Sequence, residues 1–176
     1  MENNCVLGVF IGGTRSGKSD LAQSWLLDRT EEIDYVATLG VKDHNTDRVT
    51  KHRQKRPNFV TTTELTCGDQ LLEVIAGAQK PLLIDSMGTW LTQYEDFCAP
   101  IDMLIDSLTN RSIDIAIVGE LVGEHIHGAT QLERLFVDRL GETNQRLQLI
   151  STHGFYVVAG GVVPIHRPMW DEKRVV

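Results

Sequence analysis

The sequence predicts an α/β fold in which helices flank a mostly parallel sheet. Short apolar segments rich in β-branched residues alternate along the chain with segments whose apolar residues recur at helical spacing. The apolar segments are nearly continuous, which is typical of parallel strands that are covered on both faces. The first of them leads directly into a glycine-rich segment that precedes a helical pattern. Strand, glycine-rich loop and helix in this order are typical of an α/β protein that binds phosphate at a sheet edge.

Five segments are predicted to be strands because they are short, apolar and mostly rich in β-branched residues. In chain order they are Val6–Ile11, Tyr35–Thr38, Pro81–Asp85, Ile113–Val118 and Phe155–Ala159. Four segments are predicted to be helices because their apolar residues fall on one side at helical spacing. They are Ser19–Leu27, Cys67–Gly77, Ile101–Leu108 and Thr130–Gln148.

Length and composition limit the class of protein. The chain has 176 residues, of which 41% are hydrophobic and 23% charged, and it contains no linker-like segment, so one globular domain spanning 1–176 is expected. No run approaches the roughly 20 apolar residues that a membrane span requires. The amino terminus lacks a basic stretch leading into an apolar core, so a cytoplasmic location is expected. The formal net charge of -7 argues against general nucleic-acid binding, which depends on a positive surface.

The three cysteines are too few and too scattered for a disulfide framework or a CxxC metal site. Cys67 and Cys98 are expected to be small packing residues. Trp90 lies in an apolar segment and is expected in the core, although it could instead stack on a base or another planar ligand ring, as could Trp170.

The strongest local signal is the segment Gly12–Ser19, which fits the pattern G-x-x-x-x-G-K-[ST] between a predicted strand and a predicted helix. Backbone N–H groups of such a loop wrap an anion, and the helix amino terminus adds unpaired donors. Lys18 is expected to reach the β- and γ-phosphates, and the Ser19 hydroxyl to bind Mg²⁺. The fold is therefore predicted to be P-loop NTPase-like. All eight residues are predicted to bind nucleotide: Gly12, Gly13, Thr14, Arg15, Ser16, Gly17, Lys18 and Ser19.

Asp85 is the predicted acidic partner for the metal, because it ends an apolar run as the carboxylate of a P-loop protein usually does. The alternative is that Asp85 caps the helix that follows, a common role of aspartate. Glu120 follows the apolar run Ile113–Val118 and is a second candidate at the same carboxyl edge.

A basic segment, Arg48–Pro57, stands out from the acidic background and contains His52. If 43–55 is helical, Arg48, His52 and Arg56 fall at steps of four and share one face. Neighbouring cations disfavour protonation of the imidazole, which keeps it able to attack phosphorus. The alternative is a solvated basic helix without a ligand.

These segments together resemble the bifunctional adenosylcobinamide kinase/adenosylcobinamide-phosphate guanylyltransferase family of cobalamin biosynthesis. Residues 12–19 match the family's G-G-x-R-S-G-K-S, and residues 48–57 match its R-[IV]-x-x-H-R-x-x-R-P. Tyr35–Thr38 resembles its second strand, and residues 85–92 resemble its D-C-L-T-x-W-L-T. Residues 136–138 and 144–147 resemble the F-R-D and N-Q-R-L of its late helix. The similarity spans about residues 5–165, with the motifs in order.

The resemblance implies two reactions. A nucleoside triphosphate, ATP or GTP, phosphorylates adenosylcobinamide, and GTP then transfers GMP to adenosylcobinamide phosphate through a guanylylated histidine. The motif match carries that catalytic role to His52, and the resemblance also implies that Asp85 helps to hold Mg²⁺ and that the protein is a homo-oligomer. By the same resemblance, Arg48, Arg53, Arg56, Glu64 and Asp85 join the P-loop as nucleotide-binding residues.

The chain also departs from the family pattern. Gly119–Gly128 replaces the usual N-E-V-G-x-G-I-V-P, Ser86 replaces a cysteine, and Gln93 replaces an asparagine. Two alternatives therefore stand beside the main hypothesis: another small-molecule P-loop kinase, and a nucleotide-binding relative that has lost transferase activity. His125 and His127 could bind a metal, but a polar loop is the simpler interpretation, because zinc usually takes at least three protein ligands.

Overall fold

The computed structural model describes residues 5–38, 60–122, 128 and 130–166. Within these ranges the chain forms one seven-stranded sheet. Its strands are β1 (Leu7–Gly12), β2 (Ile33–Ala37), β3 (Val60–Glu64), β4 (Leu82–Asp85), β5 (Ile115–Glu120), β6 (His153–Val158) and β7 (Gly161–Ile165). Its helices are α1 (Lys18–Leu27), α2 (Gln70–Gly77), α3 (Met87–Leu91), α4 (Ile101–Thr109) and α5 (Gln131–Ile150), with a 3-10 turn at Glu95–Phe97.

The strand order is β3-β2-β4-β5-β1-β6-β7, and every neighbouring pair is parallel except the antiparallel hairpin β6–β7. The predicted α/β class with a mostly parallel sheet is therefore confirmed. Because the first six strands run in one direction, their carboxyl ends meet at one edge. That edge receives Gly12, Ala37, Glu64, Asp85 and Glu120 as the last residues of β1 to β5.

Two apolar clusters cover the sheet. On one face, α1 packs through Ala22 and Leu26 against Phe10 and Val118. On the other face, helices α2 to α5 pack against alternate residues of the same strands, among them Val9 and Ile117. The all-buried pattern of β1 and the nearly all-buried pattern of β5 follow from this double coverage, because side chains on both faces of each strand leave water.

All five predicted strands and all four predicted helices are present, with no end more than three residues from its predicted position. The largest difference is at α2, which begins at Gln70 instead of Cys67. Sequence reasoning missed both edge strands for physical reasons. β3 reads Val-Thr-Thr-Thr-Glu and is mostly exposed, so it has no apolar run. β7 contains Pro164, which an edge strand tolerates because its outer N–H groups need no partner.

Trp90 is fully buried, so its expected place in the core is correct. Its indole Nε1 donates a hydrogen bond to the Gly68 carbonyl at 2.9 Å, and its ring meets that of Tyr94 edge-on. Burial, together with the hydrogen bond to Asp69, raises the pKa of Tyr94 above its ordinary value. The expectation that Cys67 and Cys98 are packing residues was wrong, since both thiols are free and exposed on connections outside the core.

Candidate nucleotide-binding and transfer site

The segment Gly12–Ser19 joins β1 to α1 and has the form of a phosphate-binding loop. Lys18 is only 8% exposed, and its ammonium donates to the Gly13 carbonyl at 3.1 Å. The Ser16 N–H also points inward, towards the same carbonyl at 3.3 Å. The loop thus folds around the Gly13 carbonyl, and a lysine that retains further N–H donors is held at its mouth.

Two left-handed residues shape the loop. Arg15 has φ 59° and Gly17, the residue before α1, has φ 94°. Gly12 is confined for another reason: a Cβ there would lie 2.4 Å from the Val157 carbonyl oxygen and 2.8 Å from Ser16 Oγ. The loop leads directly into α1, which begins at Lys18, and the unpaired N–H groups of the first turn of a helix favour an anion.

Asp85 ends β4 at the same edge, where the Tyr35 hydroxyl of the neighbouring strand β2 donates a hydrogen bond to its Oδ2. The alternative role of Asp85 as a helix cap is wrong, because α3 takes Ser86 as its N-cap residue. The peptide bond between Asp85 and Ser86 is cis. The Asp85 carboxylate is half-buried and oriented by a buried phenol.

Glu120 lies between the phosphate loop and Asp85, because β5 separates β1 from β4 and Glu120 pairs with Gly12 in register. Both of its carboxylate oxygens accept hydrogen bonds: Oε1 from the Ser86 hydroxyl, and Oε2 from the Gly88 N–H at 2.8 Å. Its carbonyl accepts a hydrogen bond from Asn144 Nδ2 at 3.0 Å. Glu120 therefore fixes the turn that follows Asp85 relative to β5.

Ser86 and Gln93, which differ from the residues usual in the family, both make hydrogen bonds at this edge. Ser86, in the position of a cysteine, supplies the hydroxyl that bonds to Glu120. Gln93, in the position of an asparagine, donates through Nε2 to the Thr38 carbonyl. The Thr38 hydroxyl lies 2.7 Å from the Ser86 N–H and 2.5 Å from Thr89 Oγ1. These substitutions are thus accommodated by hydrogen bonds at the sheet edge.

Sequence reasoning missed the roles of four polar residues: Tyr35, Thr38, Thr89 and Asn144. The first three share the hydrogen-bond system around Asp85 and Ser86, and the fourth holds Glu120 from α5. All four lie in segments that resemble the family's motifs, and the spacing of Ser86 and Thr89 also fits a capping box, so these were the signals in the sequence.

Of the remaining predicted site residues, the structure describes Glu64 but not those of the basic segment. Glu64 ends β3 and pairs with Ala37 in register, so it lies at the same edge but two strands beyond Asp85, and it is exposed. The basic segment Arg48–Pro57, with His52, lies outside the described residues, as does the segment 43–55, whose helical form would place Arg48, His52 and Arg56 on one face. His125, His127 and Trp170 lie outside them too.

The donor set at the edge fits Mg²⁺. The Ser19 hydroxyl and the Asp85 carboxylate offer hard oxygen donors of the kind that Mg²⁺ prefers, and a Mg²⁺ site in a P-loop protein is completed by substrate phosphates and water. Across residues 5–38, 60–122 and 130–166, no group of three or more His, Cys, Asp or Glu side chains is arranged to hold a metal. A site with one hydroxyl and one carboxylate does not require such a group.

A phosphate loop between β1 and α1, in a parallel sheet of this order, defines a P-loop NTPase fold. The KaiC-like protein PH0186 of Pyrococcus horikoshii shares this fold with TM-score 0.51 and 14% identity, over 86% of this chain and 71% of that chain. An ATPase from the type III secretion system of pathogenic bacteria does so with TM-score 0.53 and 11% identity, over 86% of this chain and half of that chain. These similarities establish the fold alone.

The chain belongs to the cobinamide kinase / cobinamide phosphate guanyltransferase family, whose model matches residues 9–165. It is 27% identical to the bifunctional adenosylcobalamin biosynthesis protein CobP of Pseudomonas aeruginosa, over 89% of this chain and 95% of that protein. It is 26% identical to the bifunctional adenosylcobalamin biosynthesis protein CobU of Escherichia coli, over 85% and 93% respectively. The family predicted from the motifs is confirmed, and with it the class of transferase. In the part of the chain that the structure describes, no helix is long and apolar enough to cross a membrane.

Proposed function

We propose that this chain, as a single domain spanning 1–176, phosphorylates adenosylcobinamide and then transfers GMP from GTP to the resulting phosphate. The observation that carries the proposal is the convergence of the P-loop, Asp85 and Glu120 at one sheet edge in a chain of this family. A triphosphate clamp and an adjacent carboxylate are what both reactions require, since each breaks a phosphoanhydride bond of a bound nucleotide.

In the kinase step the substrate hydroxyl oxygen attacks the γ-phosphorus. The bond from that phosphorus to the β,γ-bridging oxygen breaks, the nucleoside diphosphate leaves, and the hydroxyl proton passes to a base or to water. Lys18 and the N–H groups of the loop stabilise the charge on the phosphate oxygens, which is the main contribution a P-loop makes to catalysis. Ser19 and Asp85 would hold Mg²⁺, which supplies charge neutralisation of the β- and γ-phosphates when bound.

In the transfer step a His52 ring nitrogen attacks the α-phosphorus of GTP, and pyrophosphate leaves. A phosphate oxygen of adenosylcobinamide phosphate then attacks the same phosphorus, which breaks the bond to the histidine and forms adenosylcobinamide-GDP. Arg48, Arg53 and Arg56 flank His52 in sequence and would bind the phosphates. The role of His52 is carried by the motif match, whereas Glu64 as a nucleotide contact and the homo-oligomeric state are carried by the family resemblance as a whole. A cytoplasmic location is part of the same proposal.

The covalent intermediate provides the test of this function. The protein is incubated with Mg²⁺ and GTP labelled at the α-phosphate, then denatured and treated with acid or base. If GMP is bound to His52 as a phosphoramidate, the label should be lost in acid, remain stable in base, and map to the peptide that contains His52. Folded protein that binds GTP and takes up no label would favour a kinase without transferase activity, or a relative that retains nucleotide binding alone.

Tyr35→Phe tests the assignment of Asp85 as a metal ligand. Without the phenolic hydroxyl, the Asp85 carboxylate loses the hydrogen bond that orients it. We expect the Mg²⁺ concentration for half-maximal kinase activity to rise about tenfold, because removing a group that orients a metal ligand typically weakens metal binding by that order.

Tyr94→Phe is the matched control, because its hydroxyl bonds to Asp69 instead. The control should leave the Mg²⁺ dependence unchanged. An unchanged Mg²⁺ dependence in folded Tyr35→Phe would remove Asp85 from the metal site.

A further inference from the structure

The end of β5 lies between the two groups that act on the transferred phosphate. In P-loop proteins, the loop lysine and the strand-end carboxylate act at the β- and γ-phosphates. Here these groups are Lys18, which follows β1, and Asp85, which ends β4, and β5 separates β1 from β4. The last residue of β5, Glu120, pairs with Gly12 of the P-loop. A γ-phosphate that both groups reach therefore lies over the end of β5.

Glu120 also lies on the face of the sheet that carries the helix after the P-loop. Ala116 and Val118 of β5 pack in the cluster with α1, and side chains alternate along a strand, so Glu120 leaves the backbone on the α1 face. On β4, Leu83 packs in the same cluster, so Asp85 leaves the backbone on that face as well. Both carboxylates thus lie on the side of the sheet where the P-loop turns into α1.

The Glu120 carboxylate is oriented and still able to accept a proton. Its Oε1 accepts a hydrogen bond from the Ser86 hydroxyl, and its Oε2 accepts one from the Gly88 N–H at 2.8 Å. A carboxylate has about four lone-pair positions, so within the described residues these two bonds leave about half of them for a substrate. Glu120 is only half-buried, which gives a substrate access to it.

The other two strand-end carboxylates at this edge have different roles. Asp85 accepts the Tyr35 hydroxyl and is the metal ligand of the proposed function. Glu64 is exposed and lies two strands beyond Asp85. Of the three, Glu120 is therefore the one placed to meet a hydroxyl group that approaches the γ-phosphorus.

We propose that Glu120 is the general base of the kinase step. The inference rests on the proposed function, because it takes the acceptor to be the hydroxyl of adenosylcobinamide. As the hydroxyl oxygen bonds to the γ-phosphorus, its proton moves to a carboxylate oxygen of Glu120, and the bond to the β,γ-bridging oxygen breaks. The nucleoside diphosphate leaves, and Glu120 then gives the proton to water.

The two reactions of the proposed function differ in their need for this base. In the transfer step, His52 attacks through the lone pair of a neutral imidazole. The phosphate of adenosylcobinamide phosphate then attacks through an oxygen that is already ionised near neutral pH. Only the hydroxyl of adenosylcobinamide has to lose a proton as it attacks, so Glu120 is required for the kinase step alone.

The test follows both reactions in one variant of the full chain. Glu120→Gln preserves the size of the side chain and replaces the carboxylate by an amide. We expect turnover in the phosphorylation of adenosylcobinamide by ATP to fall about a hundredfold, with the KM for ATP unchanged, because general-base catalysis typically contributes at least that factor. Formation of the GMP adduct and transfer of GMP to added adenosylcobinamide phosphate should keep their wild-type rates.

Two controls separate the carboxylate from the hydrogen bonds around it. Ser86→Ala removes the hydroxyl that bonds to Glu120 and leaves the carboxylate, so kinase turnover should fall by no more than about fivefold, the effect of one lost hydrogen bond. Glu32→Gln makes the same substitution at an exposed residue just before β2, at the opposite end of the strands, and should change neither reaction.

The contrary results are distinct from one another. Wild-type kinase turnover in Glu120→Gln would show that the proton passes directly to water. Equal loss of both reactions in folded Glu120→Gln, or a loss of kinase turnover in Ser86→Ala as large as in Glu120→Gln, would show that Glu120 only supports the site. Each of these results overturns the general base and leaves the proposed function in place. If the wild type does not phosphorylate adenosylcobinamide, the proposed function fails, and the general base fails with it.

Discussion

Lys18→Ala is expected to reduce kinase turnover by about a thousandfold and to prevent transfer of GMP, while the protein remains folded. Lys18 is nearly buried at the mouth of the P-loop, where its ammonium lies 3.1 Å from the Gly13 carbonyl. There it would contact the β- and γ-phosphates. Its removal takes away the main fixed positive charge that stabilises the negative charge on the phosphate oxygens in the transition state. Both reactions of the proposed function require a triphosphate held in this loop, so both are lost.

The measurement is steady-state turnover of each reaction, with thermal unfolding as the check on folding. Lys80→Ala is the matched control, because Lys80 is exposed, lies just before β4, and pairs with Glu32 at 2.5 Å away from the P-loop. It should retain wild-type rates. Near wild-type turnover by folded Lys18→Ala would mean that the P-loop is not where the phosphoryl donor binds.

The parts of the site that could be predicted from the sequence are those whose chemistry is local. The P-loop is a continuous segment with its own pattern, and Asp85 and Glu120 each follow an apolar run that indicates a strand end. Once the strands are taken as parallel, their carboxyl ends must share an edge. That argument brings Lys18, Asp85 and Glu120 to one region, as the structure also does.

What could not be predicted depends on contacts between distant segments. Tyr35 meets Asp85 only because β2 pairs with β4, and a sequence does not state which strands are neighbours. Asn144 reaches Glu120 only because α5 packs beside β5. The edge strands were missed because neither β3 nor β7 is covered on both faces, so neither carries the continuous apolar run of the central strands.

His52→Ala is expected to eliminate the covalent GMP adduct and all transfer of GMP, while kinase activity persists in part. A side chain without a nitrogen nucleophile cannot form the phosphoramidate, so the loss of the transfer step is complete rather than graded. The kinase step uses a direct attack of the substrate hydroxyl on the γ-phosphorus and does not pass through the histidine. Some loss of kinase rate is expected because His52 lies within the basic segment that would bind the phosphates.

Both reactions are followed separately, the kinase by formation of adenosylcobinamide phosphate and the transferase by release of pyrophosphate from GTP in the presence of that phosphate. His153→Ala serves as the histidine control, because His153 is exposed at the start of β6, the opposite end of the strand from the P-loop. It should preserve both activities and the adduct. Equal loss of kinase and transferase activity in folded His52→Ala would contradict this division of roles. It would mean that His52 binds phosphate in a site that both reactions use. A residue needed only for the covalent step of the transferase reaction would not slow the kinase reaction to the same extent.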